Sequence, residues 1–478
     1  MNPFQDWRGD QTRRRFLGRG AGLLGSAALS GLLGSGRADA ATPTHHRPRA
    51  KRVIFLHMVG GPSQMDLFDH KPGLVDHYGK DLPPSVRGDQ RLTTQTSGQT
   101  HLPIAPSKYK FGQAGRCGLW MNTELLPNLA KNADDLCLIR TLNTEAINHE
   151  PAICALQTGN QNTGRPCLGS WASYGLGSAN GNLPAFVVLV ASPSNHEQEQ
   201  PVNSRLWSSG FLPGEHSGVT LRGKGDPILF IRNPAGVDRD LRRETLDAIN
   251  QLNELNHGKV GDPEIRTRIK QYEMAFRMQA SVPELADLAG EPEHVFQLYG
   301  EEARQRGSFA NSVLMARRLV ERGVRFVQVY HNNWDHHANL SGRMASQCRD
   351  IDRPCHALIE DLKQRGLLED TLVIWGGEFG RTIYSQGSLS KSNYGRDHHP
   401  RCFSMWMAGG GAKGGLAYGE TDDFSYNVVK DPLPLPDFHA TVLHLLGYDH
   451  ERFTYKYQGL DQKLTGVLPT KIVKALIA

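Results

Sequence analysis

Two apolar runs constrain this chain more than any other feature. Val324-Arg325-Phe326-Val327-Gln328-Val329-Tyr330 and Thr371-Leu372-Val373-Ile374-Trp375 each lead into a polar turn. The turn after the first carries Trp334-Asp335-His336-His337-Ala338-Asn339, and that after the second Gly376-Gly377-Glu378-Phe379-Gly380-Arg381. Apolar runs of this length read as buried strands. Arg52 to Val59 reads the same way and enters the tight turn Gly60-Gly61-Pro62-Ser63. Asp135 to Arg140 and Ala185 to Leu189 supply two more strands. Helical patterns fall between them: Leu125 to Ala133, His149 to Thr158 with Pro151 in its first turn, Ser170 to Tyr174, much of 237–320, and 346–365. Phe438 to Gly447 adds a last amphipathic helix. Strands alternating with helices predict an α/β domain with a parallel sheet. Residues 80–118 and 192–226 read as irregular insertions, the second long enough for a functional lid.

In open α/β sheets, ligand sites form beyond the carboxyl ends of the strands. The turns named above stand there, and Gly395-Arg396-Asp397-His398-His399 adds a second histidine–acid cluster. Carboxylates and imidazoles gathered in this way are ligands for a divalent ion such as zinc or manganese. The plainer alternative is a set of solvated or helix-capping polar residues. Neighbouring residues in an extended segment point opposite ways, so one histidine of each adjacent pair is expected to face a site. Asp335, His337, Glu378 and His398 are the favoured ligands, with His336, Asp397 and His399 as further candidates. Arg381 could hold an anionic substrate or form a structural ion pair. His149, at a helix start, could be a nucleophile, an acid–base group, a ligand or merely structural. Ser63 could be a nucleophile or could stabilise its turn.

The first 40 residues read as an address. Thr12-Arg13-Arg14-Arg15-Phe16-Leu17 matches the twin-arginine export signal, a Gly/Ala/Leu run follows, and Ala38-Asp39-Ala40 offers a small-x-small cleavage site. The expectation is export through the twin-arginine machinery to the periplasm or the medium. A linker over 41–51 and a single domain over 52–478 would follow. The leader holds six Arg against three Asp, so the chain's net charge of +5 falls to +2 without it. No basic stripe remains, which argues against nucleic acid as a partner. No second apolar run approaches membrane-spanning length. The seven cysteines include no C-x-x-C pair; buried free thiols are expected for most, although pairs such as Cys154–Cys167 or Cys348–Cys355 could bridge.

The phrases His57-Met58-Val59-Gly60-Gly61-Pro62-Ser63-Gln64, Trp334-Asp335-His336-His337, Gly376-Gly377-Glu378-Phe379-Gly380-Arg381-Thr382 and Gly395-Arg396-Asp397-His398-His399 resemble those of exported bacterial proteins called "domain of unknown function 1501". A wider resemblance is to the alkaline phosphatase/sulfatase superfamily. In His149-Glu150-Pro151-Ala152-Ile153-Cys154-Ala155-Leu156-Gln157-Thr158-Gly159, the Pro and Thr-Gly keep a sulfatase spacing, with His149 at the nucleophile position. Asp335 with His336 or His337, Glu378-Phe379-Gly380, and His398 or His399 resemble that superfamily's ligand turns. Gly60-Gly61 stand where its first acidic ligand would be, with Asp66 the nearest substitute. Phe379 takes the place of another ligand, which leaves open a one-metal site or a rearranged pair.

The resemblance implies an alkaline-phosphatase-like three-layer sandwich, with a mostly parallel central sheet and helices on both faces. It also implies a metal-dependent hydrolase of phosphate or sulfate esters using zinc, calcium or manganese and no nucleotide cofactor. Its substrate would be an anionic ester, such as a sulfated or phosphorylated polysaccharide. The alternative is a non-catalytic exported protein of the same fold that binds a ligand or an envelope partner.

Overall fold

The structure is a computed structural model that describes residues 42–478, apart from 195, 197, 198, 224, 230, 391 and 392. The twin-arginine segment and its cleavage site lie outside the described residues. The expected strands form β1 (Arg52–Met58), β2 (Leu136–Asn143), β3 (Phe186–Ala191), β5 (Phe326–His331) and β6 (Thr371–Gly376). Short or polar segments add β4 (Val219–Leu221), β7 (Gly380–Gln386), β8 (Gly395–His399), β9 (Phe403–Ala408), β10 (Leu416–Tyr418) and β11 (Leu433–Pro434). One nine-stranded sheet runs in the order β10-β2-β9-β6-β1-β5-β3-β4, with β11 also paired to β2. The pairs β6–β1, β1–β5, β5–β3 and β3–β4 are all parallel, whereas β9 runs antiparallel to both of its neighbours.

Alternate residues of the central strands face opposite helical layers, as the period of a strand requires. Ile54, Leu56, Val327, Val329, Val373 and Trp375 pack with α5 (Phe309–Glu321) and α6 (Leu340–Gln364). Val53, Phe55, Phe326, Leu372 and Ile374 pack with α1 (His149–Thr158), α2 (Leu168–Leu176) and α7 (Leu435–Leu445). The fold is therefore a three-layer α/β sandwich around a mostly parallel sheet. Two long helices, α3 (Arg239–Val260) and α4 (Pro263–Ala286), pair as a hairpin. Among the described residues, no helix is long and apolar enough to cross a membrane. All seven cysteines are free thiols.

The expected helix from Leu125 is displaced and tightened, becoming a 3₁₀ segment over Leu129–Asp135. Pro127 brings no N–H, and the amides of Asn128 and Leu129 donate to the Asp352 carboxylate at 2.8–3.1 Å.

Parallel register places the ends of the three central strands side by side: Met58 is opposite His331, and His57 is opposite both Tyr330 and Gly376. The segments that leave them, at 59–63, 332–339 and 377–381, converge on one edge of the sheet. Gly60 and Gly61 take φ of +117° and +73°. A Cβ on Gly60 would come within 2.4 Å of the Asp335 backbone nitrogen. The first strand therefore ends in glycine, not in an acidic residue, because the chain carrying Asp335 crosses directly over it.

Candidate metal centre

Four side chains converge at this edge: His149 from the start of α1, Asp335 and His337 from the turn after β5, and His398 from β8. One ligand atom from each lies within 4.8 Å of every other. Asp335 Oδ1 is 2.7 Å from His337 Nε2, 3.2 Å from His149 Nε2 and 3.4 Å from His398 Nε2. The Nε2 atoms of His337 and His398 are 3.1 Å apart. A tetrahedral zinc site with bonds of ~2.1 Å has edges of ~3.4 Å, close to these separations.

The far nitrogens decide what the near ones carry. His149 Nδ1 lies 2.6 Å from Glu378 Oε1, and His398 Nδ1 lies 2.7 Å from the Ile147 carbonyl oxygen. His337 Nδ1 bonds the Gln386 side-chain oxygen. Each partner is an acceptor, so each Nδ1 donates, and a neutral ring then turns its Nε2 lone pair inward. Three lone pairs and a carboxylate oxygen at these distances repel one another unless a cation or a proton stands between them. His149 Nε2 is buried and faces Asp335 Oδ1 at 3.2 Å without the alignment of a well-formed hydrogen bond. Imidazoles oriented through Nδ1 toward a shared point are what a metal-ligating set requires.

Charged neighbours hold the centre. Burial works against ionisation of Asp335, but Arg381 and the three imidazoles keep its carboxyl far below the carboxylate range. Burial likewise opposes ionisation of Glu378, and hydrogen bonds from His149 and His57 bring it down to about 2. Burial lowers His149, yet its bonds to Asp335 and Glu378 outweigh this, and its pKa stands above the ordinary value. Burial first, then Arg381 and His149, bring His398 down to about 4 despite its bond to Asp335.

Glu378 is one bond removed from the group. Its Oε1 also accepts from the Gly60 amide at 2.9 Å, and its Oε2 from His57 Nε2 at 3.3 Å. His57 is in turn held by Gln157 at 2.8 Å. Sequence reasoning singled out neither His57 nor Gln157, since both stand within a strand or a helix that reads as core. The phrase around His57 was the available signal.

Arg381 is spent within the fold. Its Nε donates to the Gly61 carbonyl, its Nη1 to the Arg396 carbonyl, and its Nη2 to the Gly60 carbonyl and to Asp335 at 2.5 Å. It is fully buried, so it orients Asp335 and offers no guanidinium edge to a substrate. Asp335 Oδ2 accepts from Gln200, in the insertion over 192–226, at 2.9 Å.

Three expected ligands and the Ser63 hydroxyl are engaged elsewhere, and a fourth, His336, lies outside the cluster. Asp66 is buried against Arg396 at 2.8 Å and accepts from Ser63 Oγ at 2.6 Å, so neither is free to act at the cluster. Asp397 accepts from Thr93 and Thr96, both at 2.5 Å, and from the His398 amide at 2.7 Å. His399 Nε2 donates to the Tyr426 carbonyl at 2.7 Å, while Gln90 bonds its other nitrogen. His336 is buried beside the Trp334 ring, with centroids 6.1 Å apart, and burial lowers its pKa to about 3.

The model of a family described as protein of unknown function (DUF1501) matches residues 50–477. No curated protein matches the chain. Among solved structures, a sulfatase from Pseudoalteromonas sp. is 13% identical, with a TM-score of 0.33, covering 92% of this chain and 78% of that one. A phosphonate monoester hydrolase from Silicibacter pomeroyi is 10% identical at a TM-score of 0.34, covering 83% and 73%. An alkaline phosphatase from the Antarctic bacterium TAB5 is 11% identical at a TM-score of 0.30, covering 76% and 92%. None of the three bears on the residues of the site.

Proposed function

The chain belongs to the DUF1501 family of proteins of unknown function, and for it we propose an exported hydrolase of phosphate or sulfate esters that works with one divalent metal ion. One observation carries the reading: three imidazoles, each oriented through Nδ1, turn Nε2 toward the same carboxylate oxygen. His149, Asp335, His337 and His398 would hold the ion. Three nitrogen donors suit zinc far better than manganese or calcium, which favour oxygen ligands. Such an ion polarises an ester oxygen and lowers the pKa of water to about 7.

The chain's own residues do the rest. Glu378 and the backbone carbonyl of Ile147 fix the planes of His149 and His398. Arg381 and Gln200 hold the two oxygens of Asp335. His149 and His337 each keep 12% of their side-chain surface exposed, so the cluster is reached from solvent. The first turn of α1 opens beside it, and the Asn148 side chain does not cap that turn. Its amides and dipole favour an anionic group. A sulfated or phosphorylated polysaccharide is the substrate class to try first.

A specific observation favours a second reading. Four protein ligands fill a tetrahedral shell, as in structural zinc sites, whereas catalytic sites usually use three. On that reading the protein binds a partner and turns nothing over. The deciding experiment is an assay of the metal-loaded protein on aryl phosphates, phosphonates and sulfates, beside His398→Ala. Turnover that His398→Ala abolishes supports the hydrolase; none on any ester supports the binding protein.

Export through the twin-arginine pathway is part of the same proposal and rests on Arg13, Arg14 and Arg15. Replacing all three with Lys should leave the protein in the cytoplasm; undiminished export would overturn it.

A further inference from the structure

Helix α3 carries two apolar faces, and only one is covered. Leu246 is buried, and Arg243 and Asn250 beside it bond Glu273 of α4 at 2.6–2.9 Å. That is the face turned to α4. At ~100° per residue, Leu241, Thr245, Ala248, Leu252, Leu255 and Lys259 fall within an arc of ~80° on the other side. Leu241, Leu252 and Leu255 are 46%, 56% and 66% exposed. Successive positions of the six-residue stripe are three or four residues apart, the spacing of a helix-pairing seam.

The stripe is complementary to itself when reversed. In an antiparallel pair in which positions 248 and 252 face one another, Leu252 of each helix covers Ala248 of the other. Leu255 then meets Thr245, and the Lys259 stem lies over Leu241. This register matches large side chains with small ones. It also brings the Lys259 ammonium beside Asp238 and Asp240, which are exposed at the opposite end of the other helix. The two helix dipoles run in opposite senses, which is favourable. Arg239, Arg242, Arg243 and Lys259 are matched along the helix by Asp240, Glu244, Asp247 and Glu254, so it lacks the strongly basic polar face that would favour an anionic membrane as the occupant.

We propose that this face of α3 binds the same face of a second copy of the chain, giving a two-fold dimer with α3 antiparallel across the axis. An isologous contact of this kind closes on itself and stops at two. Sedimentation velocity on the full chain across a concentration series tests it. The expected result is a monomer–dimer equilibrium in the wild type. A Leu252→Glu/Leu255→Glu variant should stay monomeric at every concentration, with an unchanged melting temperature and metal content. Lys259→Glu should weaken the dimer about tenfold at low ionic strength, and adding Asp240→Lys should restore it. A monomeric wild type, a dimer indifferent to the leucine changes, or no response to the charge exchange would each overturn the proposal.

Discussion

His149 and Asp335 show how strongly single side chains here depend on their neighbours. Asp335 Oδ1 faces three imidazoles and one guanidinium, and Glu378 receives the Nδ1 proton of His149. Glu378→Gln keeps the shape but offers one acceptor where the site needs two. It should weaken metal binding 10- to 100-fold, measured by competition with a chelator, while the fold persists. The Asp66–Arg396 pair is a separate matter. Both groups are wholly buried, and Arg396 also donates to the carbonyls of Thr382, Ile383 and Ala105. Arg396→Met would strand a buried carboxylate and should cost about 3–5 kcal/mol in urea unfolding. Asp66→Asn should leave metal stoichiometry unchanged; loss of the ion would return Asp66 to the ligand set. The sequence made the choice within each histidine pair a matter of alternation; the turn after β5 brings His337 to the cluster and extended β8 brings His398. It could not show that Arg381 would be consumed by carbonyls, because those carbonyls belong to Gly60, Gly61 and Arg396, brought together only by the fold.

At the scale of elements, the strands legible in the sequence were those buried on both faces. β1, β5 and β6 are apolar runs with abrupt ends, and the structure moves their limits by only one or two residues. The hairpin of β7 and β8 was not legible as strands. Gly395-Arg396-Asp397-His398-His399 is polar throughout, and its extended form depends on contacts distant in sequence. The insertion over 80–118 supplies several of them: Thr93 and Thr96 to Asp397, Gln90 to His399, and the Ala105 carbonyl to Arg396. An apparently irregular loop therefore fixes the strand that presents His398. The hairpin also packs tightly on the turn carrying His337: a Cβ on Gly395 would come within 1.7 Å of the His337 carbonyl oxygen. Gly395→Ala should push β8 away from that turn. The expected outcome is weaker metal binding together with a lower melting temperature. An unchanged metal affinity would mean that His398 does not depend on this contact.

For the molecule as a whole, the buried neutral histidines set an acid limit. His439 of α7 is fully buried, donates through Nε2 to the Leu156 carbonyl of α1 at 2.8 Å, and is lowered by burial to about 4. In the unfolded chain it would titrate near 6.5. Its folded pKa is the lower one, so the unfolded chain takes up the proton first. Stability is then complete above pH 6.5 and is lost as pH falls from 6.5 to about 4, by up to about 3 kcal/mol for this group. His336 and His399, lowered by burial to about 3 and about 4, act in the same direction. Urea unfolding followed between pH 7 and pH 4 should show this loss, with a slope that falls by about one proton in His439→Gln. A flat profile would mean that these rings are not neutral in the fold.

The central claim is that the edge of the sheet holds one divalent ion on three imidazoles and one carboxylate. Elemental analysis with X-ray absorption on the purified, zinc-loaded and dialysed protein tests it most directly. The account predicts one zinc per chain with three imidazole nitrogens and one oxygen at ~2.0–2.1 Å, and no retained zinc in His149→Ala/His337→Ala/His398→Ala. Protein that retains no ion after dialysis, or a triple variant that keeps its full complement, would contradict it.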